Sequence, residues 1–223
     1  MRLQITDFNG SDEVFGSSNS ELWNELEEAL TSVPLHLKAS DQASKVGAPI
    51  WDAVGNNAAI KESLVDLGWS PNVPIPGEFA FLGTDIDFLK ESALVEVQFS
   101  NYPFLLNNML RCELFYKGQI RLGSGAIDSS VIVTKAKMFD ASNSTLYYEQ
   151  ALNRLSALAE NAVFEVPLRL VGLFEDYGDA RDVVWTKYSA PRYSRTVESQ
   201  VETTADIREG PRSASRAQIE VNL

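Results

Sequence analysis

Cysteine and histidine are almost missing: Cys112 and His36 are the only copies in 223 residues. A single cysteine excludes an intramolecular disulfide framework. With one histidine beside it, the usual zinc constellations are excluded too, so any metal must be held by oxygens. No apolar run approaches the ~20 residues that span a bilayer. The opening Met1-Arg2-Leu3-Gln4-Ile5-Thr6-Asp7 lacks the apolar stretch of a signal peptide. The chain is therefore expected to be cytoplasmic, with no membrane partner. Positive charge is also scarce, with 19 Lys and Arg against 31 Asp and Glu and a net charge of −12. That deficit argues at first sight against nucleic acid. Its distribution weakens the argument. Acidic residues gather at Glu21, Glu25, Glu27 and Glu28 and again at Glu175-Asp176-Tyr177-Gly178-Asp179, while Arg192, Arg195, Arg208, Arg212 and Arg216 are spaced along the C-terminal part. An acidic chain can still carry one positive face.

The composition present, 44% hydrophobic and 22% charged, is that of an ordinary globular domain. After Ser20, a candidate N-cap, Leu22, Leu26, Ala29, Leu30 and Val33 recur at helical spacing. Residues 36 to 80 read as irregular, punctuated by Pro49, Pro71, Pro74 and Pro76, with Trp51 and Trp69 as anchors. A hairpin follows, Thr84 to Phe88 and Leu94 to Phe99. Tyr102, Leu105, Met109, Cys112 and Tyr116 form a second helical stripe, and Ser130 to Thr134 a buried strand. Tyr148, Leu152, Leu155 and Ala159 form a third helix, and Val166 to Phe174 another strand. Strands alternating with helices predict an α/β layer core. The expected division is a core over 1–177, containing the hairpin 83–99, and a DNA-contacting C-terminal extension of loops or short strands over 178–223, either part of the same domain or a small β subdomain. The plain reading of Cys112 and of the Met and aromatic stripes is core packing.

The hairpin carries the candidate chemistry. Side chains alternate across a strand, so Ile86 and Phe88 should share one face and Asp85 and Asp87 the other. Likewise Val95, Val97 and Phe99 oppose Glu96 and Gln98. Pairing the strands brings Asp87, Glu96 and Gln98 together beside an apolar core. Two carboxylates in such a site repel, and a bound cation relieves the repulsion. Oxygen ligands favour Mg2+ or Mn2+ over zinc. The competing readings are a polar hairpin face on a non-catalytic acidic interaction module, and a glycosidase whose carboxylate pair is Asp87 and Glu96.

An aspartate on one strand followed by Glu-x-polar on the next resembles the PD-(D/E)xK nuclease core. Ile86 stands where that motif has proline, and Gln98 where it usually has lysine. Longer blocks are similar to the BglII family of type II restriction endonucleases: Leu35 to Gly47, Phe81 to Phe88, Leu94 to Asn108, Ala141 to Gln150, Arg169 to Leu173 and Arg192 to Thr196. In that family glutamine replaces the lysine, so Gln98 fits the likeness. The first twenty residues, about Lys117 to Ser130, and the tail beyond Val197 resemble it poorly.

The resemblance implies a restriction-endonuclease-like fold, a central mixed β-sheet flanked by helices with a C-terminal loop and strand extension. It implies a homodimer on double-stranded DNA that uses Mg2+, with Mn2+ as substitute, to cut a palindromic GATC-centred site, AGATCT, leaving 5′ GATC overhangs. Asp87 and Glu96 match the catalytic carboxylates, and Gln98 the residue that positions water. Asp87, Glu96 and the Val97 carbonyl match the metal ligands, and Asn72 an asparagine near the same site. Ser100-Asn101, Asn143-Ser144 and Tyr193-Ser194-Arg195 match the segments that contact DNA. Asparagine suits an adenine edge, and arginine a guanine or a narrow groove. The helix of Tyr102 to Lys117 or that of Thr145 to Asn161 is expected to supply the dimer interface.

Overall fold

In the computed structural model, which describes residues 1–123, 125–142, 145–190, 195–211 and 216–223, the run Val131-Ile132-Val133 lies at the centre of a mixed sheet. Its strand, β9 (Ser129–Lys135), is buried at every position, as a continuous apolar run between parallel neighbours must be. The chain reaches it through β1 (Arg2–Phe8), α1 (Ser11–Gly16), α2 (Ser20–Ser32), β2 (Leu35–Ala39), β3 (Pro49–Trp51), α3 (Ala53–Asp66), β4 (Ser70–Pro74), a 3-10 turn (Gly77–Leu82), β5 (Asp85–Lys90), β6 (Ala93–Val97), α4 (Phe104–Lys117) and the short pair β7 (Arg121–Leu122) and β8 (Gly125–Ala126). It continues through α5 (Tyr148–Glu160), β10 (Leu168–Phe174), β11 (Gly178–Tyr188), β12 (Val197–Arg208) and β13 (Gln218–Asn222).

The main sheet runs β1-β10-β9-β6-β5-β4, with β9 parallel to both β6 and β10 and the outer pairings antiparallel. Alternation along its strands sends side chains to two cores. One face carries Ile132, Leu168 and Leu170 and is covered by Leu105, Met109, Cys112 and Phe115 of α4 and by Ala151 and Leu155 of α5. The other carries Val95, Val131, Val133 and Val171 and is covered by Leu22, Trp23 and Leu26 of α2, Ile60 and Leu64 of α3, and a second sheet. Helices on one face, and helices with a second sheet on the other, give the layered α/β core that the alternating pattern predicts. Gly172 of β10 permits the α5 contact: a Cβ there would lie 2.6 Å from the Tyr148 ring, which rests directly on the strand.

Three expectations change. Residues 36 to 80 are not irregular but contain β2, β3, α3 and β4. Helix α3 escapes periodicity because the face it turns to β2 is small and polar: Gly55 sits against His36, and buried Asn56 bonds the His36 backbone. Its N-cap is Asp52, whose carboxylate accepts from the Val54 N–H at 3.2 Å. Ser20 is the first residue of α2 rather than its cap, and the preceding Asn19 spends its side chain on Asp128 and Ser129. Finally, the segment after Tyr177 is built of long strands. It forms a second sheet, β13-β12-β11-β2-β3, in which β11 runs parallel to β2. Val183, Ala205 and Ile207 join the same core as Trp23 and Val95, so residues 178–223 share the core with those before them.

Candidate active site

Ladder hydrogen bonding between β5 and β6 pairs Lys90 with Ala93, Leu89 with Leu94 and Phe88 with Val95, then stops. The next positions are Asp87 and Glu96. On the other side of β5 the pairing with β4 holds at Ser70–Leu89 and Pro71–Phe88 and resumes at Val73–Ile86, skipping Asn72 and Asp87. Asn72 takes a left-handed φ of 50° at that skip, a backbone state asparagine adopts more readily than most residues. The strand therefore breaks its alternation at Asp87. Ile86 enters the core under α4 and α5, whereas Phe88 enters the opposite one. The expectation that these two share a face is corrected. What the break achieves is a carboxylate at the frayed end of a hairpin, beside a second carboxylate on the neighbouring strand.

The Val97 N–H donates to Asp87 Oδ2 at 2.7 Å. Glu96 is 2% exposed and forms an ion pair with the Arg111 guanidinium. Arg111 also donates to the carbonyls of Leu82 at 3.2 Å and Asp85 at 2.9 Å, which holds the entry to β5. Asn108, one turn earlier on α4, donates to Gln98 Oε1 at 3.3 Å, and Gln98 Nε2 donates to the Ser100 carbonyl. Asn107 donates to the Leu82 carbonyl at 3.1 Å. Residues three apart on a helix project together, so one face of α4 fixes both catalytic candidates of β6 and its continuation. These helix residues were not singled out from the sequence. The available signal was a charged residue, Arg111, directly beside Cys112 in an apolar stripe.

Burial pushes Glu96 up to about 8 and raises Asp87; the charge of Asp87 adds to the shift at Glu96, and that of Asp85 to the shift at Asp87, while Arg111 opposes both and hydrogen bonds from the Val97 N–H and Glu96 hold Asp87 back. Two buried carboxyls whose charged form is disfavoured by burial have the electrostatics of a site that gains from a cation. Among the described residues no group of three or more His, Cys, Asp or Glu side chains gathers as a cage. A cation at this place would rest on Asp87, Glu96 and the Val97 carbonyl. That all-oxygen set suits a hard divalent ion that keeps waters of its own. Cys112 lies under the site, fully buried and pushed up to about 12, and is inert packing as expected.

Asp85, Asp87, Glu96, Val97, Gln98, Ser100, Asn101, Asn107, Asn108 and Arg111 all line one open cleft of about 340 Å3. The structure thus brings Asp87, Glu96 and Gln98 together and sets Ser100 and Asn101, both exposed, at the same cleft. Asn72 is exposed and stands opposite Asp87 on β4, but does not line the cleft. Asn57 of α3, which sequence reading passed over, does line it. Arg195 is exposed just before β12. Asn143, Ser144, Tyr193 and Ser194 lie outside the described residues. Two tail arginines are engaged: Arg208 pairs with Asp206 and Asp179, and Arg216 with Asp140.

The family model "Restriction endonuclease BglII/BglIII" matches residues 3–173. The type II restriction enzyme BglII of Bacillus subtilis is 56% identical over 197 residues, covering 88% of this chain and 87% of that protein. The crystal structure of restriction endonuclease BglII complexed with a DNA 16-mer superposes with a TM-score of 0.95 at 51% identity, each chain covered in full. Free BglII superposes with a TM-score of 0.76 at 47% identity, again over both whole chains. No helix among the described residues is long and apolar enough to cross a membrane. The chain belongs to the BglII family of type II restriction endonucleases, and site-specific cleavage of DNA is its activity.

Proposed function

We propose that the chain is a Mg2+-dependent homodimeric restriction endonuclease that cuts double-stranded DNA at AGATCT and leaves 5′ GATC overhangs. The observation that carries this reading is the convergence of Asp87, Glu96 and Gln98 at the frayed end of the β5–β6 hairpin, in a cleft they share with Ser100 and Asn101. Type II restriction enzymes generally need a divalent metal. When bound, the ion supplies positive charge at the phosphoryl oxygens and lowers the pKa of a coordinated water. Asp87 and Glu96 would hold it with the Val97 carbonyl. Mn2+, with the same ligand preference, is expected to substitute.

The chain's own groups then divide the work. Gln98 has no titratable proton near neutrality and cannot act as a base. Its side chain is held by Asn108, so it can orient the attacking water by a hydrogen bond, and positioning alone is worth orders of magnitude in rate. Glu96, buried and raised toward neutrality, is the group able to take a proton from that water. Arg111 keeps Glu96 aimed at the cleft while anchoring the start of β5. Asn72, on the strand next to Asp87, supports the bend that turns Asp87 inward. Ser100, Asn101, Asn143, Ser144, Tyr193, Ser194 and Arg195 are the residues proposed to meet DNA.

A palindrome is read most simply by a two-fold dimer, one half-site per subunit. Tyr102, Phe104, Leu106 and Leu110, on and just before α4, are exposed, as is Val163 just after α5. Leu106, Leu158 and Val163 line one shallow apolar groove between the two helices. This supports an interface drawn from both helices rather than from either alone. The function is tested by digesting DNA of known sequence and mapping the ends. Cuts at AGATCT with Mg2+, and none with EDTA, are expected. Ends mapped at another sequence would overturn the assigned site, and full cleavage in EDTA would overturn the metal.

A further inference from the structure

Behind the cleft, at the end of β9, lies a second buried charge that the reaction does not use. Lys135 is 0% exposed. Its ammonium donates to the Phe99 carbonyl at 2.8 Å, to the Leu146 carbonyl at 3.2 Å and to Thr145 Oγ1. Thr145 Oγ1 in turn donates to the Phe99 carbonyl at 2.7 Å. The Nζ stands 5.0 Å from the Tyr147 ring centroid and 5.9 Å from that of Phe99. Among the described residues no carboxylate pairs with it. A buried ammonium without a counter-ion is costly and persists when all of its protons find acceptors. Here three N–H donors meet three oxygens.

Those oxygens belong to two segments. Phe99 continues β6 beyond Val97 and Gln98 and immediately precedes Ser100 and Asn101. Thr145 and Leu146 immediately follow Asn143 and Ser144 in sequence and lead into α5. An antiparallel bridge between Ser100 and Thr145 crosses from one segment to the other at the same point. We propose that Lys135 is a positioning residue for sequence discrimination, whose ammonium locks the Ser100-Asn101 segment to the segment entering α5 so that both present one register to DNA. The proposal rests on the reading that Ser100-Asn101 and Asn143-Ser144 contact bases. It makes Lys135 the link between reading and cutting, because the strand it clamps is the one that carries Glu96 and Gln98.

The ammonium is required rather than the amine, which keeps two donors and turns a lone pair toward the third oxygen. Burial, aided by the like charge of Arg216, brings Lys135 down to about 7. The other charged or titratable groups around it are Lys38, which lines the small cavity it faces, Tyr147, and Asp140 and Glu149 behind them. Tyr147, pushed up to about 12, stays neutral across the window concerned. Loss of the Lys135 proton above about pH 7 should loosen the clamp and lower discrimination. Its effect on stability has the opposite sign. Between about 7 and 10.5 the unfolded chain holds the proton and the folded one does not, so this group makes stability rise with pH. A lysine serving only the fold would not make discrimination fall while stability rises.

The experiment measures affinity for a cognate and a scrambled duplex, with Ca2+ in place of Mg2+, at about pH 6 and about pH 9, together with thermal unfolding. The parent, Lys135→Met, Thr145→Val and Asn101→Ala are compared. At the lower pH, Lys135→Met and Thr145→Val should lose about tenfold or more of the cognate-to-scrambled ratio while scrambled binding stays within about threefold. The parent's ratio should fall at the higher pH, and that of Lys135→Met should be flat. Thr145→Val keeps the side-chain branching and decides the matter alone if Lys135→Met does not fold. Parental discrimination in Thr145→Val, alongside its loss in Asn101→Ala, would overturn the role of Lys135 and leave the base-reading assignment standing. Parental discrimination in Asn101→Ala would overturn that assignment, and the proposal with it.

Discussion

Glu96 and Lys135 occupy neighbouring strands of one sheet, both are buried, and they are stabilised in opposite ways. Glu96 has a full counter-ion in Arg111, yet burial beside Asp87 still pushes it up to about 8. Lys135 has only neutral oxygens and two aromatic faces, and is brought down to about 7. A buried carboxyl that resists ionisation becomes useful when a cation or a proton acceptor is wanted. A buried ammonium whose three protons are all engaged becomes a rivet. Burial opposes both charges; they differ in that Glu96 faces a cleft that a cation can enter, whereas the protons of Lys135 are all engaged by oxygens of the protein.

The sharpest way to separate cleavage from binding is Asp87→Ala. It should lower single-turnover cleavage by about ten thousandfold or more, since it removes a proposed metal ligand. Cognate binding in Ca2+ should hold or tighten, because a negative charge beside phosphate is gone. Cleavage near the parental rate would remove Asp87 from the centre. Arg111→Met comes next. Breaking a buried pair leaves a lone carboxyl, and about 3 kcal/mol of stability should be lost in denaturant unfolding. The loss should be smaller below pH 8, where Glu96 can take up a proton, and Glu96→Gln on the same chain should restore part of it. Equal losses at every pH would mean that Glu96 is ionised throughout. Gln98→Glu, which places a third carboxyl against Asp87 and Glu96, should slow cleavage by about a hundredfold by misplacing water rather than supply a better base. Parental activity in that variant would put Gln98 outside the reaction.

The smallest effect is the most direct test of the contrast. For Glu96 the folded chain holds a proton that the unfolded one has lost between 4.5 and about 8, so its contribution to stability falls as pH rises through that window. For Lys135 the contribution rises between about 7 and 10.5. Unfolding measured without divalent cation should show the first slope vanish in Glu96→Gln and the second in Lys135→Met. A divalent cation bound to the native state should flatten the acid-side slope alone. A cation that left both slopes untouched would place its site elsewhere.

How far the sequence led depended on periodicity. Strands buried on both faces, such as Ser130 to Thr134, and helices with a broad apolar stripe, such as those at Leu22 and Leu155, announce themselves. The hairpin did too, and with it Asp87, Glu96 and Gln98. Helix α3 did not, because Gly55 and Asn56 pack by closeness and hydrogen bonds instead of apolar area. The long strands β11 and β12 read as a polar tail because much of their length is exposed. Arg111 was hidden for a different reason. Its partner lies fifteen residues away across a loop, and no local pattern encodes a contact between a helix and the strand beneath it. Even within the hairpin, strict alternation misplaced Ile86, since a break at Asp87 is a property of three strands together.

Gly172 carries one more consequence. The Tyr148 ring lies where its Cβ would be, and the Tyr148 hydroxyl is 2.6 Å from Thr6 Oγ1 on β1, so α5 is seated on the sheet through a single aromatic footing. In the dimer proposed above, built through α4 and α5, the tilt of that helix would set the distance between the two cleavage centres. A methyl group at residue 172, two strands away from β6, would act on the enzyme as a change of calliper setting. Its signature would be one strand cut and the other left whole: nicked circles accumulating where linear product is normal.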